Sequence, residues 1–183
     1  MFKATADRDT YISILEPRHA DELFKVVDRS RESLGEWLSF PAFTKGVQDS
    51  KTFIEKSLNR FAANNGYWSG IWHKGELAGS IGYLYIDSQN SKTEIGYWLG
   101  KDFVGRGLVR KACKLMIEHA FTDLQLNKVE INIATKNIKS KAIPEYLGFT
   151  KEGVIRNYEF LNGQYLDRIV YGILKDDWIT IHH

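Results

Sequence analysis

Residues 93–124 read TEIGYWLGKDFVGRGLVRKACKLMIEHAFTDL. An apolar, aromatic-rich run at 95–99 leads into a glycine-bracketed turn, Gly105, Arg106 and Gly107. An amphipathic helix pattern follows at once. Strand, glycine turn and helix together present unpaired backbone N–H groups to a phosphate. The first four N–H groups of a helix have no internal partner, and the helix dipole adds positive potential there. Glycines let the backbone approach a bulky pyrophosphate at angles a side chain forbids. The segment therefore predicts a phosphorylated cofactor at the start of this helix.

Two familiar phosphate motifs fit poorly. A P-loop requires G-x-x-x-x-G-K-[ST]; Gly100 and Gly105 have that spacing, but Arg106 and Gly107 stand where Lys and Ser/Thr are needed. A Rossmann fingerprint requires a third glycine where Arg110 stands, and it follows a first strand rather than lying mid-chain. A third pattern, Q/R-x-x-G-x-G/A, fits residues 102–107 except that Asp102 replaces the leading Gln/Arg. The two glycines alone would also suit a plain strand-to-helix turn.

The third pattern is the coenzyme A pyrophosphate loop of GNAT acetyltransferases, and the likeness extends beyond it. Residues 94–99, EIGYWL, with the following glycine turn, resemble a segment of the RimJ/RimL branch of that superfamily. Asn137 to Ser140 and then Leu147, Gly148 and Phe149 resemble its N-x-x-S and L-G-F elements. Residues 33–38, SLGEWL, and residues 162–167, NGQYLD, resemble two further elements near either end. The elements occur in the family's order and span nearly the whole chain.

Composition bounds the reading. The chain has 183 residues, a size for one domain over 1–183 with a substantial core. Hydrophobic residues make up 43% and charged residues 26%, a globular balance. A net charge of +2 gives no electrostatic argument for nucleic acid. Arg106, Arg110, Lys111, Lys136, Lys139 and Lys141 cluster around the glycine turn and the 137–149 element. The single cysteine, Cys113, lies in the apolar stripe of the helix, as a core thiol would. The five histidines lack metal-ligand spacing, so no metal is expected. Residues 1–9 carry no apolar run, and none elsewhere approaches the roughly 20 residues of a membrane span. A cytoplasmic protein is expected. The terminal pair, His182 and His183, fits either a native end or a tag remnant.

Periodicity predicts strands over 10–15, 67–72, 77–86, 93–99 and 129–133, with a last pair joined at Asn162 and Gly163. Helices are predicted from Pro17, over 47–63, over 107–124 and over 141–147, the last ending at Gly148. Such elements make a mixed α/β sheet with helices on both faces. The resemblance implies the GNAT fold, with a mostly antiparallel sheet that splays between the strands at 93–99 and 128–135. The pantetheine arm would pair with backbone near Trp98 and Leu99. The pyrophosphate would lie on amides from Val104 through Gly105, Arg106, Gly107 and Leu108 to Val109. Asn137 and Ser140 would complete the acetyl-CoA site.

The chemistry asks for an unprotonated amine, a donor for the developing oxyanion and a proton for the leaving thiolate. The resemblance brings two carboxylates, Glu94 and Glu159, near the reaction centre as base candidates. Their alternatives are pairing with Lys92 or Lys128 for Glu94, and an edge-strand charge for Glu159. Ser140 is the candidate donor to the coenzyme sulfur, or an N-cap of the short helix. Many family members carry a tyrosine acid four residues before the glycine of L-G-F, where this chain has Pro144; Tyr146 is two residues on and faces elsewhere. Trp37, Phe40, Phe43, Tyr67, Trp68, Trp72, Tyr83 and Tyr85 are candidates to line an acceptor groove or simply core. The resemblance favours a peptide N-terminus as acceptor, with a ribosomal protein as the candidate. A small amine (a polyamine, aminoglycoside or amino acid) and a non-catalytic coenzyme A-binding module remain open, as does a homo-oligomer.

Overall fold

The computed structural model describes residues 3–182, so His183 of the terminal pair lies outside the described residues. Eight strands form one sheet: β1 (Lys3–Thr5), β2 (Thr10–Ile14), β3 (Tyr67–His73), β4 (Glu76–Asp87), β5 (Lys92–Leu99), β6 (Lys128–Ala134), β7 (Thr150–Leu161) and β8 (Gln164–Leu174). Their order across the sheet is β1-β2-β3-β4-β5-β6-β8-β7. Six α-helices accompany them: α1 (Ala20–Arg29), α2 (Arg31–Gly35), α3 (Val47–Ala62), α4 (Leu108–Thr122), α5 (Ile138–Tyr146) and α6 (Lys175–His182). Strands β2 to β8 and helices α1, α3, α4 and α5 fall close to the positions the periodicity predicts, whereas β1, α2 and α6 were not predicted.

The two faces of the sheet have separate cores. On one, Leu108, Ala112, Met116 and Ala120 of α4 pack with Ile95, Val129 and Ile131. On the other, Leu23 and Val27 of α1 and Ile54 of α3 meet Trp72 and Trp98. Cys113 is fully buried in the α4 core, and burial pushes its thiol pKa up, so it is packing and not a nucleophile. Tight hairpins close where glycine follows a left-handed residue: Lys74 and Gly75 have φ of 51° and 83°, and Asn162 and Gly163 have 52° and 76°.

One junction positions the site. Every strand pair is antiparallel except β5 with β6. That parallel pair holds at three positions, Lys92 with Lys128, Thr93 with Val129 and Glu94 with Glu130. From Ile95 to Leu99, β5 stays paired with β4 alone. The sheet thus opens a wedge lined by unpaired backbone on the side of β5 that faces β6. A register shift in β4, between Tyr83 and Tyr85, adds twist beside the opening.

Two expectations need adjustment. The short helix starts at Ile138, not Lys141, and its N-cap is Asn137, whose side chain accepts from the Ser140 N–H at 3.2 Å. Ser140 is therefore inside the first turn and is not the cap. The helix predicted from Pro17 opens as a 3-10 turn over Pro17–His19, and α1 itself starts at Ala20. Among the described residues, no helix is long and apolar enough to cross a membrane, and no cluster of three or more His, Cys, Asp or Glu could hold a metal ion.

Candidate active site

A single continuous cavity of about 1180 Å³ fills the wedge and extends over the α1–α3 face of the sheet. This exceeds the roughly 300–1,000 Å³ typical of one small ligand. One wing is made by β5, the glycine turn and the starts of α4 and α5. The other is made by α2, the segment after it, α3 and β8.

In the first wing the glycine turn behaves as its sequence requires. Gly105 and Gly107 have φ of +85° and +71°, in the left-handed region, and Gly107 is the N-cap of α4. A Cβ at Gly105 would meet nothing within 4 Å, and one at Gly107 would meet only the Arg110 guanidinium. The turn is thus an open cradle before the free amides of α4. Val104, Gly105, Gly107, Leu108 and Val109 line the cavity, as do Trp98 and Leu99 on β5 and Asn137 and Ser140 at α5. Arg106 is outside the lining; its guanidinium donates to the Asp102 carbonyl at 3.0 Å and lies over the Phe103 ring. Of the other basic residues, Arg110 and Lys139 border the cavity, whereas Lys111 is paired with Asp7 at 2.6 Å. Ser140 is fixed from two sides, by Asn137 at its N–H and by the Tyr97 hydroxyl, which donates to its carbonyl at 3.0 Å. Burial raises the Tyr97 pKa well above its ordinary value, so the phenol keeps its proton. Pro144 is buried within α5, and Tyr146 is 67% exposed against the Arg110 guanidinium, 4.3 Å from its ring centre.

The structure separates the two candidate carboxylates. Glu94 lines the cavity at the last paired position before the wedge. Burial pushes its pKa up, against the opposing pull of the Asn132 side chain and the Arg168 charge. The cross-strand lysines do not take it: Lys92 and Lys128 pair with Glu130 instead, at 3.6 and 3.1 Å. Glu159 is outside the cavity lining, on β7, in an ion pair with Arg168. The Arg168 guanidinium also donates to the Asn132 carbonyl at 3.1 Å and lies 4.9 Å from the Tyr158 ring centre. Asn132 and Arg168 both line the cavity and were missed as site residues in the sequence. The only signal was a polar residue alternating with Val129, Ile131 and Ile133.

The second wing is aromatic. Trp37, Phe40, Phe43 and Trp68 line it, whereas Tyr67, Trp72 and Tyr83 are core and Tyr85 donates to Glu130 at 3.1 Å. Arg31 holds the loop that carries Phe40 and Phe43, donating at 2.6 Å to the carbonyls of both Pro41 and Thr44. Trp37 packs on Ala134, Leu161 and Leu166, and Asn162 ties the β7–β8 turn to the Gly35 carbonyl at 2.9 Å.

The family profile described as "Acetyltransferase (GNAT) domain" matches residues 11–150. The chain belongs to the GNAT acetyltransferase family. It is 36% identical to "Putative ribosomal N-acetyltransferase YdaF" of Bacillus subtilis (strain 168) over 97% of this chain and 98% of that one. It is 26% identical to "Ribosomal-protein-serine acetyltransferase" of Escherichia coli (strain K12), covering 86% and 88% of the two chains. Among solved structures it is similar to the microcin C7 self-immunity acetyltransferase MccE in complex with acetyl-CoA and AMP, with 29% identity, a TM-score of 0.88 and coverage of 92% and 94%. This GNAT enzyme is an acetyl-CoA-dependent N-acetyltransferase, a reaction that needs room for a coenzyme and an amine together.

Proposed function

We propose that this GNAT enzyme transfers the acetyl group from acetyl-CoA to the α-amino group of a protein or peptide, by direct attack on the thioester. The observation that carries the reading is the place of Glu94: a half-buried carboxylate of raised pKa, free of lysine partners, where the coenzyme wedge meets the aromatic wing. An α-amino group has a pKa of about 7.7–8.0 and a lysine about 10.4, so one carboxylate suits the former far better near neutral pH.

In this reading the amides of residues 104–109 receive the pyrophosphate, Arg106 contributing its backbone, and β5 at Trp98 and Leu99 pairs with the pantetheine arm. Glu94 takes the amine proton, directly or through water, as the nitrogen attacks the acetyl carbon. An unpaired β5 amide faces the carbonyl oxygen as it gains charge. The carbon–sulfur bond then breaks, and Ser140 donates a hydrogen bond or proton to the thiolate. The relatives' names support a ribosomal protein as acceptor, and such an acceptor would put the reaction in the cytoplasm.

The test is a mass-spectrometric screen with acetyl-CoA, offering ribosomal proteins, short peptides with free N-termini, spermidine and aminoglycosides. Acetylation at protein or peptide α-amines is expected. Modification confined to polyamines or aminoglycosides would replace this reading with small-amine transfer.

A further inference from the structure

Helix α5 contains a gap in its own hydrogen bonding. In an α-helix the carbonyl of each residue accepts from the N–H four residues on. For the Ser140 carbonyl that donor belongs to position 144. Position 144 is a proline inside the helix and has no N–H to give. A proline ring in a helix interior also crowds the carbonyl four residues back. The residue deprived of its helical partner is therefore Ser140, which borders the cavity.

The missing donor comes from another element. The Tyr97 hydroxyl donates to the Ser140 carbonyl at 3.0 Å. Tyr97 is on the stretch of β5 that pairs with β4 alone, opposite Ile81, and its ring packs against the core under α4. Helix α5 follows β6, the strand on the other side of the wedge. The bond is thus a tie across the wedge, from one wall to the other. A second phenol, Tyr171 on β8, donates to the Glu145 side chain at 2.8 Å near the far end of α5. The two ties differ in kind. Tyr171 reaches a carboxylate on a pliable side chain, whereas Tyr97 reaches backbone. Only Tyr97 fixes where the first turn of α5 stands relative to β5. The Asn137 side chain holds the Ser140 N–H at 3.2 Å, so both backbone groups of Ser140 are engaged and its hydroxyl keeps only its own rotation.

We infer that Tyr97 is a positioning residue for acetyl transfer: its hydroxyl replaces the helical hydrogen bond that Pro144 removes, and so holds Ser140 in place across the wedge from β5. This rests on the role proposed above for Ser140 at the leaving sulfur and adds the device that puts Ser140 there. Without the tie, the first turn of α5 loses its register against β5. The thiolate then leaves from a poorly aligned donor, while the glycine turn before α4 is untouched.

Pro144→Ala supplies the test, because it returns the N–H. Wild type, Tyr97→Phe, Pro144→Ala and the double variant are compared. Thiol release from acetyl-CoA is followed with serylalanine amide as acceptor, and coenzyme A affinity by calorimetry. Tyr97→Phe is expected to lower kcat about tenfold, the worth of a hydrogen bond to a part-buried carbonyl, with coenzyme A affinity within about twofold. In the Pro144→Ala background the same change should cost about threefold or less, since the helix then satisfies the carbonyl itself. An equal loss in both backgrounds, or an affinity that falls in step with kcat, marks Tyr97 as core packing and overturns the inference. Amide exchange read by mass spectrometry needs no acceptor. Tyr97→Phe should speed exchange over residues 137–147 and not over α4, and Pro144→Ala should cancel the difference. Ser140→Ala, measured beside them, separates the tie from the mechanism it serves. Wild-type kcat in that variant removes Ser140 from the mechanism, and absence of any acetylated amine removes amine transfer. In either case exchange decides the tie: faster exchange confined to α5 and cancelled by Pro144→Ala supports it, and unchanged exchange overturns it.

Discussion

The two wings of the cavity are built from different materials. The wing proposed for the coenzyme is mostly backbone: an unpaired stretch of β5, a turn with two left-handed glycines and the free amides of α4. Its parts lie within residues 94–109, with Asn137 and Ser140 added nearby. The wing proposed for the acceptor is mostly side chains, drawn from α2, the segment after it, α3, β3, β6 and β8. A backbone site tolerates most changes of side chain and fails when its φ angles or its space are taken away. A side-chain site fails in graded, substrate-specific ways. Variants in the two wings should therefore differ in size of effect and in which kinetic constant they move.

The largest effect is expected in the cradle. Gly107→Asp forces a side chain into a left-handed position and sets a carboxylate against the pyrophosphate. Gly107→Asn is the control: it has nearly the same shape, tolerates the same φ and carries no charge. Calorimetry should show coenzyme A affinity falling more than 10³-fold in the aspartate variant and clearly less in the asparagine variant. Wild-type affinity in Gly107→Asp would remove the cradle from residues 104–109 altogether.

The next effect lies at the border between the wings. Ser140→Ala should lower kcat by about 10²-fold if general-acid help to the thiolate is lost, with little change in coenzyme A affinity. Tyr146→Phe should be close to wild type, because that ring is exposed and turned to Arg110. A large loss in Tyr146→Phe beside an unaffected Ser140→Ala would exchange their roles.

The contrast between the wings also sets what the sequence could reveal. A glycine needed for a positive φ is visible in one dimension, and so is the helix it opens; β5, the turn and α4 were legible together for that reason. The wedge itself was expected only through family resemblance, since no local pattern shows where parallel pairing stops. The pairing of Glu159 with Arg168 was invisible for a geometric reason. Hairpin counting from Asn162 and Gly163 pairs Glu159 with Leu166, but a bulge between Ile155 and Glu159, with Asn157 at φ 50°, then shifts the register. That shift brings Ile155 and not Asn157 opposite Arg168. Glu159 and Glu94 looked equivalent in sequence because the family resemblance brings both near the reaction centre. Only the register shows that one borders the cavity and the other stands behind an arginine. The N-cap of α5 was misplaced because Asn137 and Ser140 are both good caps, and the three-residue spacing suits either.

The smallest effects are expected at those two carboxylates, and they differ in pH dependence. At pH 7 an α-amine of pKa near 8 is already about one-tenth neutral, so removing its base should cost only about tenfold there. Glu94→Gln should show that loss, shrinking as pH rises past the amine's own pKa. Glu159→Gln should slow turnover about threefold, by the same factor at every pH, because Glu159 pairs with Arg168 outside the cavity lining and moves no proton. Stability gives an independent check on Glu94. Its pKa is raised on folding, so the folded state binds that proton more tightly than the unfolded chain. Wild-type stability must then fall as pH climbs from the ordinary glutamate value, about 4.3, to the raised one. Glu94→Gln removes that slope: its Tm should match wild type most closely in acid and exceed it at neutral pH, even as its activity is lower. A pH-independent defect in Glu94→Gln, with no gain in Tm, would reduce Glu94 to a structural residue and leave the amine to lose its proton to solvent.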